Sequence, residues 1–265
     1  MTVSRRAAAL LLPAAGWSLL LLNVLGLFVG PAGREPVRTP SMIAGRDYAP
    51  LPPDDLRKMV SAGAPAIDLA KANTLVFLSL RHSDQRRIGL LENWLLWSAG
   101  HFYEPLSRTQ DTDRLVAGRI GLCGEKAQVL KTITERAGLP SRFVNLNGHV
   151  VLEVQTGSGW QLADPDYGVT YPSGIAELEK PEGAGVMRRE LARMGYDQGT
   201  VDTYVAIVQS AGDNVAFPVG QPLSPRLYRI ERASDTLKWV IPLLLAALGL
   251  LRKGPRAGPA AASPR

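Results

Sequence analysis

The chain has 265 residues, enough for one ordinary domain with appendages, and is 46% hydrophobic and 20% charged. Its net charge is +6, but much of the excess lies near the termini, at Arg5, Arg6, Arg252, Lys253, Arg256 and Arg265. That placement suits a solvated surface or a membrane interface and argues against a nucleic-acid footprint. One cysteine, Cys123, excludes an intrachain disulfide and leaves any thiol chemistry to a single residue.

Residues 1–30 carry two arginines and then an uncharged apolar run from Ala7 to Gly30. At about 1.5 Å per helical residue, this run crosses a hydrocarbon core of about 30 Å. It exceeds the apolar stretch of a signal peptide, which favours a retained membrane anchor. A cleaved leader is the alternative, with Gly30 and Ala32 as the small residues of its cleavage site. Residues 31–53 are proline-rich and predict a stalk without regular structure.

Residues 54–236 predict one domain. Asp54 or Asp55 caps a short helix containing Leu56, Met59 and Val60. Two further helical patterns follow, one placing Leu69, Ala72, Val76 and Leu80 on one side, the next placing Leu91, Trp94, Leu95 and Ser98 together and ending at Gly100. Residues 173–196 predict a loop with a short helix. Residues 237–251 form a second apolar run, short for a span, with Lys238 placed to snorkel and Trp239 at the interface; an interfacial or core helix is the alternative. Residues 252–265 form a basic tail predicted to be disordered. Basic residues outside both runs place both ends in the cytoplasm and residues 31–236 outside it, although Arg226, Arg229 and Arg232 weaken the asymmetry.

The chemistry concentrates in the middle of the chain. In "GLCGEKAQVLKTITERAGLP", Ala127, Leu130, Ile133 and Ala137 keep helical spacing, Glu125 falls in the first turn, Arg136 in the last, and Gly138 and Pro140 stop the helix. Cys123 therefore sits at the helix start, where unpaired N–H groups and the positive dipole end favour a thiolate. Strand patterns follow in "RFVNLN", "HVVLEVQ" and "WQLAD", the last closed by Pro165. With "TGSG" as hairpin loop, Gln155 pairs with Trp160 and Val151 with Asp164, which puts Asp164 on the face of His149, diagonally across the ladder. Asp166 lies opposite His149 directly, beyond a proline that ends the pairing. The shared face is expected to be the one not filled by Val150, Leu152 and Val154. A thiol nucleophile needs a base, and the base needs a third group to orient it; Cys123, His149 and Asp164 supply that set.

The motifs "GLCGEKA", "GLPSR", "GHVVLEV" and "GWQLADPDYG", between Gly118 and Tyr171, resemble in order and content those of the transglutaminase-like superfamily of papain-type fold. The chain departs from that pattern at Lys126 and Ala127, where an aromatic often stands, and at Val150 and Val151, where alanine and tryptophan are frequent. The resemblance implies an α+β fold, with helices packed on an antiparallel sheet and membrane helices flanking it. It also implies a catalytic triad of Cys123, His149 and Asp164 acting on amide bonds through a thioester. The acceptor, water or an amine, stays open, with hydrolysis of a peptide or protein substrate the more frequent outcome among bacterial members outside the membrane. The Cys123 N–H is the first oxyanion donor, and Asn93, Trp94 and Trp97 are candidates for a second.

His82 and His101 read as ordinary surface groups, and Trp94 and Trp97 as core. Sparse histidines without short ligand spacing argue against zinc, and "GSG" lacks a phosphate-loop context, so neither metal, cofactor nor nucleic acid is expected. The expected location is the bacterial inner membrane with the catalytic domain in the periplasm. Partners linked to exopolysaccharide assembly are suggested by "ENWLLWSAG" and the paired anchors. The rival expectation is a non-catalytic envelope module that binds a peptide or glycan.

Overall fold

The computed structural model describes residues 2–29, 51–62, 67–84, 87–210 and 212–251. Most of the expected stalk and the whole of the expected tail lie outside the described residues. The chain divides into two compact units, one of Met1–Gly30, Ile88–Ser107 and Arg229–Arg265, the other of Pro31–Arg87 and Arg108–Tyr228.

The larger unit mixes helices with an antiparallel five-stranded sheet. In chain order its elements begin with α2 (Asp54–Ala62), α3 (Leu69–Ser79), β1 (Arg81–His82), α5 (Thr112–Gly118), β2 (Ile120–Gly121) and α6 (Cys123–Arg136). The strands β3 (Ser141–Leu146), β4 (His149–Thr156), β5 (Gly159–Asp164) and β6 (Val169–Tyr171) follow. The helices α7 (Ile175–Leu178), α8 (Pro181–Arg193) and α9 (Gln198–Val208) then lead to β7 (Asn214–Ala216). The sheet order is β6-β5-β4-β3-β7, and β1 pairs with β2 in parallel.

Two tight turns set the register. Asn147 and Gly148 both have positive φ, 48° and 93°, the requirement of the two-residue turn that best matches strand twist. His149 therefore opens β4 directly opposite Leu146. The next hairpin is tighter than "TGSG" suggests: Thr156 pairs with Gly159, leaving only Gly157 and Ser158 in the turn, while Gln155 opposite Trp160 is as expected.

Helices cover both faces of this sheet. Phe143, Leu152, Val154 and Ala163 pack with Leu80, Leu115, Leu130 and Ile133. The opposite face carries Val144, Leu146, Val151, Leu162 and Tyr171, covered by Leu178, Met187, Leu191 and Tyr204. The second set corrects the expectation of a polar face around His149. Val151 lies there fully buried, because α8 and α9 supply a second apolar layer.

The helix α6 ends as its sequence predicts. Gly138 (φ 77°) donates to Glu135 O, and Leu139 donates to Thr134 O at 2.9 Å, the bond pair of a Schellman motif. Gly168, between β5 and β6, is also left-handed (φ 72°), and a Cβ there would lie 2.8 Å from the Phe77 ring. Gly168→Ala is expected to destabilise the larger unit by about 1–3 kcal/mol, from the conformational penalty and the clash together. Urea denaturation of the full chain followed by far-UV circular dichroism measures it; an unchanged midpoint would show that the turn relaxes freely.

In the smaller unit, α1 (Thr2–Val29) is the one described helix long and apolar enough to cross a membrane, over Leu11–Val29, by length and composition. The run 237–251 is the second half of α10 (Pro225–Leu251), whose first half carries Arg226, Arg229, Glu231 and Arg232, so α10 falls short of the same measure. Gly16 lets α1 lie close to α10: a Cβ there would be 2.7 Å from both Pro242 O and Ala246 N. Further along, Asn23 donates to Lys238 O at 2.6 Å, so the two helices run antiparallel. Between them in sequence, α4 (Trp94–Gly100) is shorter than its pattern predicts. Asn93 caps it by accepting from Leu96 N, which starts the helix at Trp94 and turns Leu96 inward, with Trp97 exposed rather than in the core.

Candidate active site

Three elements meet at Cys123. The helix α6 starts with it, and its first-turn N–H groups have no intrahelical acceptor. Glu125 turns back to accept from Leu122 N at 2.8 Å, fixing the entry to the helix. The thiol is free and partly exposed.

His149, at the start of β4, has Nε2 2.7 Å from Asp164 Oδ2. Asp164 ends β5, and its other oxygen, Oδ1, accepts from Asp166 N (2.8 Å) and Tyr167 N (3.1 Å). One carboxylate thus folds the "DPDYG" turn and holds the imidazole. Asn73 of α3 secures the same turn, donating to Asp164 O and Val169 O at 3.2 and 2.8 Å. The edges of Tyr167 and Tyr204 close on the His149 ring, with centroids at 5.6 and 6.2 Å.

Cys123, a His149 ring nitrogen and Asp166 present ligand atoms all within 4.8 Å of one another. Because Nε2 faces Asp164, Nδ1 is the nitrogen left for the sulfur. The structure therefore brings Cys123, His149 and Asp164 together, on a helix start and two neighbouring strands.

Burial opposes a charged His149, but the charge and hydrogen bond of Asp164, with a smaller contribution from Cys123, outweigh it and hold the imidazole well above its ordinary value of 6.5. Tyr167 is pushed up to about 12 by burial and by the negative charges of Asp164, Asp166 and Cys123, so it stays a neutral phenol.

A second buried network adjoins the first, and sequence reasoning missed it. Asp166 accepts from Lys126 Nζ at 3.0 Å and pairs with His82 Nδ1 at 2.6 Å. Lys126 is fully buried and also lies 5.4 Å from the Phe77 ring centroid. Burial favours the neutral acid at Asp166, yet the Lys126 ammonium and His82 draw it down to about 2. His82 is thus no surface histidine: β1 pairs it with Gly121, two residues before the sulfur. His101 is exposed, with Nδ1 on Trp97 O. The signals for the network were "EKA" after the cysteine and "DPD" after the strand, a paired cation and carboxylate in a stretch otherwise read for its apolar spacing.

The second-donor candidates are engaged elsewhere. The Asn93 amide donates to Ser234 Oγ and Asp235 Oδ1 at 2.9 and 3.0 Å, and Trp94 Nε1 donates to Lys238 O at 3.3 Å. Trp97 packs edge-on against His101. Among the described residues, Cys123, His149 and Asp166 are the group that could ligate a metal. Lys126 beside Asp166 opposes an added cation there. Comparison of the chain with family models, with curated proteins and with solved structures found no match.

Proposed function

We propose that the chain is a membrane-anchored cysteine enzyme of transglutaminase-like type that acts on amide bonds in the cell envelope. One observation carries the reading: a helix-start thiol lies within 4.8 Å of an imidazole nitrogen whose ring is held by a buried carboxylate at 2.7 Å. The resemblance of the motifs around those same residues supports it. The apolar helix over Leu11–Val29 supports the anchor.

In this reading His149 Nδ1 takes the Cys123 proton, and the sulfur attacks the amide carbonyl carbon. The negative oxygen that forms is held by the Cys123 N–H at the helix end. The imidazolium then returns its proton to the departing nitrogen as the C–N bond breaks, leaving a thioester on Cys123. Water, activated by the now neutral His149, releases the acid; an amine in its place gives a new amide. Asp164 keeps the ring turned and stabilises its charged form. The lean toward water rests on the resemblance.

The test uses the full chain in detergent or vesicles and iodoacetamide at neutral pH. Cys123 is expected to react faster than a model thiol, and His149→Ala is expected to slow it by about 10-fold or more, as the sulfur loses its base. Equal, slow labelling of both proteins would favour the binding-module alternative and end the catalytic reading.

A further inference from the structure

We propose that the segment Ile88–Ser107 docks on the lipid interface of the bilayer crossed by α1, with Phe102 and Tyr103 inserted among the head groups. The inference rests on the membrane-anchored reading above and adds a second, peripheral contact to it.

The antiparallel pair of α1 and α10 turns apolar side chains outward, including Phe28, Leu21, Leu243 and Leu244, each more than half exposed. Such a surface suits hydrocarbon and is costly in water. The segment is fastened at one level of this pair. Gly26 of α1 abuts the Leu91 carbonyl with no room for a side chain. Lys238 O accepts from both Asn23 and Trp94, and Lys238 Nζ donates to Glu92 O at 2.7 Å.

Gly26 is three residues short of Val29, the end of the apolar stretch. At about 1.5 Å per helical residue, that places the attachment about 5 Å from the rim of the hydrocarbon slab. The segment therefore leaves the helix pair just inside the rim of the hydrocarbon slab, next to the head groups.

From there α4 leads to a tip where Phe102 is 93% and Tyr103 57% exposed, with Trp97 beside them at 39%. Trp97 and Tyr103 are rings with a polar edge or hydroxyl, which concentrate at this depth in membranes, and the Phe102 ring beside them adds the apolar area that interfacial segments bury. The tip is tied at its base: Ile88 N donates to Ser107 O at 2.6 Å, Ser107 Oγ to Glu104 O at 2.7 Å, and Gly100 packs directly against Ser107. Exposed Glu104 follows Tyr103 and limits entry to the head groups, since a carboxylate is costly deeper down.

The experiment uses the full chain with Cys123→Ser, single cysteines introduced by Phe102→Cys, Leu21→Cys or Ser158→Cys, an environment-sensitive fluorophore on each, and phosphatidylcholine–phosphatidylglycerol vesicles. The Phe102-site probe is expected to be quenched by nitroxides on the lipids and shielded from aqueous iodide at least fivefold relative to the Ser158-site probe. Iodide access equal to that at the Ser158 site overturns the docking. Shielding from both quenchers also overturns it, by showing a protein partner or a second copy over the tip. If the Leu21-site probe is itself open to iodide, the anchor reading fails and takes the docking with it. A lipid-quenched Leu21 site beside an iodide-accessible Phe102 site sinks the docking alone.

Discussion

Exchanging Asp164 for asparagine is expected to slow acylation of Cys123 by about 10⁴-fold, a cost of the size seen when a triad loses its carboxylate. The substitution is nearly isosteric. The side-chain oxygen still accepts from Asp166 N and Tyr167 N, so the turn survives and stability changes little. What goes is the charge that, against burial, holds the His149 proton well above 6.5. In the parent protein Asp164 favours the charged ring, so the stabilisation it supplies is fully present below 6.5 and is lost as pH rises through the raised value. In the variant that loss moves to lower pH, because burial remains and the opposing charge does not. Mass measurement of acyl-Cys123 against time and pH, after exposure to a peptide amide, reads both changes. An unaltered rate and pH profile would remove Asp164 from the mechanism.

The largest loss of stability is expected at Asp166. Asp166→Ala leaves the ammonium of Lys126 fully buried without its carboxylate, a cost of about 3–5 kcal/mol when one member of a buried pair is removed. The double change Asp166→Leu with Lys126→Met removes both charges and should recover most of that loss, since a buried ion pair replaced by apolar groups is often neutral. Denaturant melts of the parent, Asp166→Leu, Lys126→Met and the double variant form the cycle; a double-variant loss equal to the sum of the two single losses would mean the pair is not coupled. Acid offers an independent check. Asp166 is drawn from 3.8 down to about 2 in the folded protein, so its stabilisation is present above pH 3.8 and drains away as pH falls toward 2. The contribution is about 2 kcal/mol by linkage.

What the sequence disclosed depended on how local the signal was. Helix α6 was legible from end to end, because its apolar spacing, its glycine stop and its thiol all lie within twenty residues. The hairpin of β4 and β5 was legible for the same reason, and with it the meeting of His149 and Asp164. The glycine-broken stretch after residue 173 hid α8, where Pro181 occupies a position at which a helix loses no hydrogen bond. Asp197, the N-cap of α9, was equally informative and overlooked. With those two helices unseen, the second apolar layer and the burial of Val151 were out of reach. The network of His82, Lys126 and Asp166 was hidden for another reason: its members come from β1, α6 and a turn, and no spacing rule connects them. The transglutaminase-like resemblance remains a proposal, carried by motifs between Gly118 and Tyr171.

The short turn at Asn147 and Gly148 bears on how the protein is made. Its two residues sit in the backbone state that closes a hairpin quickly, so β3, β4 and β5 can zip from neighbour to neighbour as they leave the ribosome. Cys123 emerges more than twenty residues ahead of His149 and some forty ahead of Asp164. The growing chain therefore carries Cys123 before His149 and Asp164 exist, and the three can gather only once synthesis has passed the second hairpin.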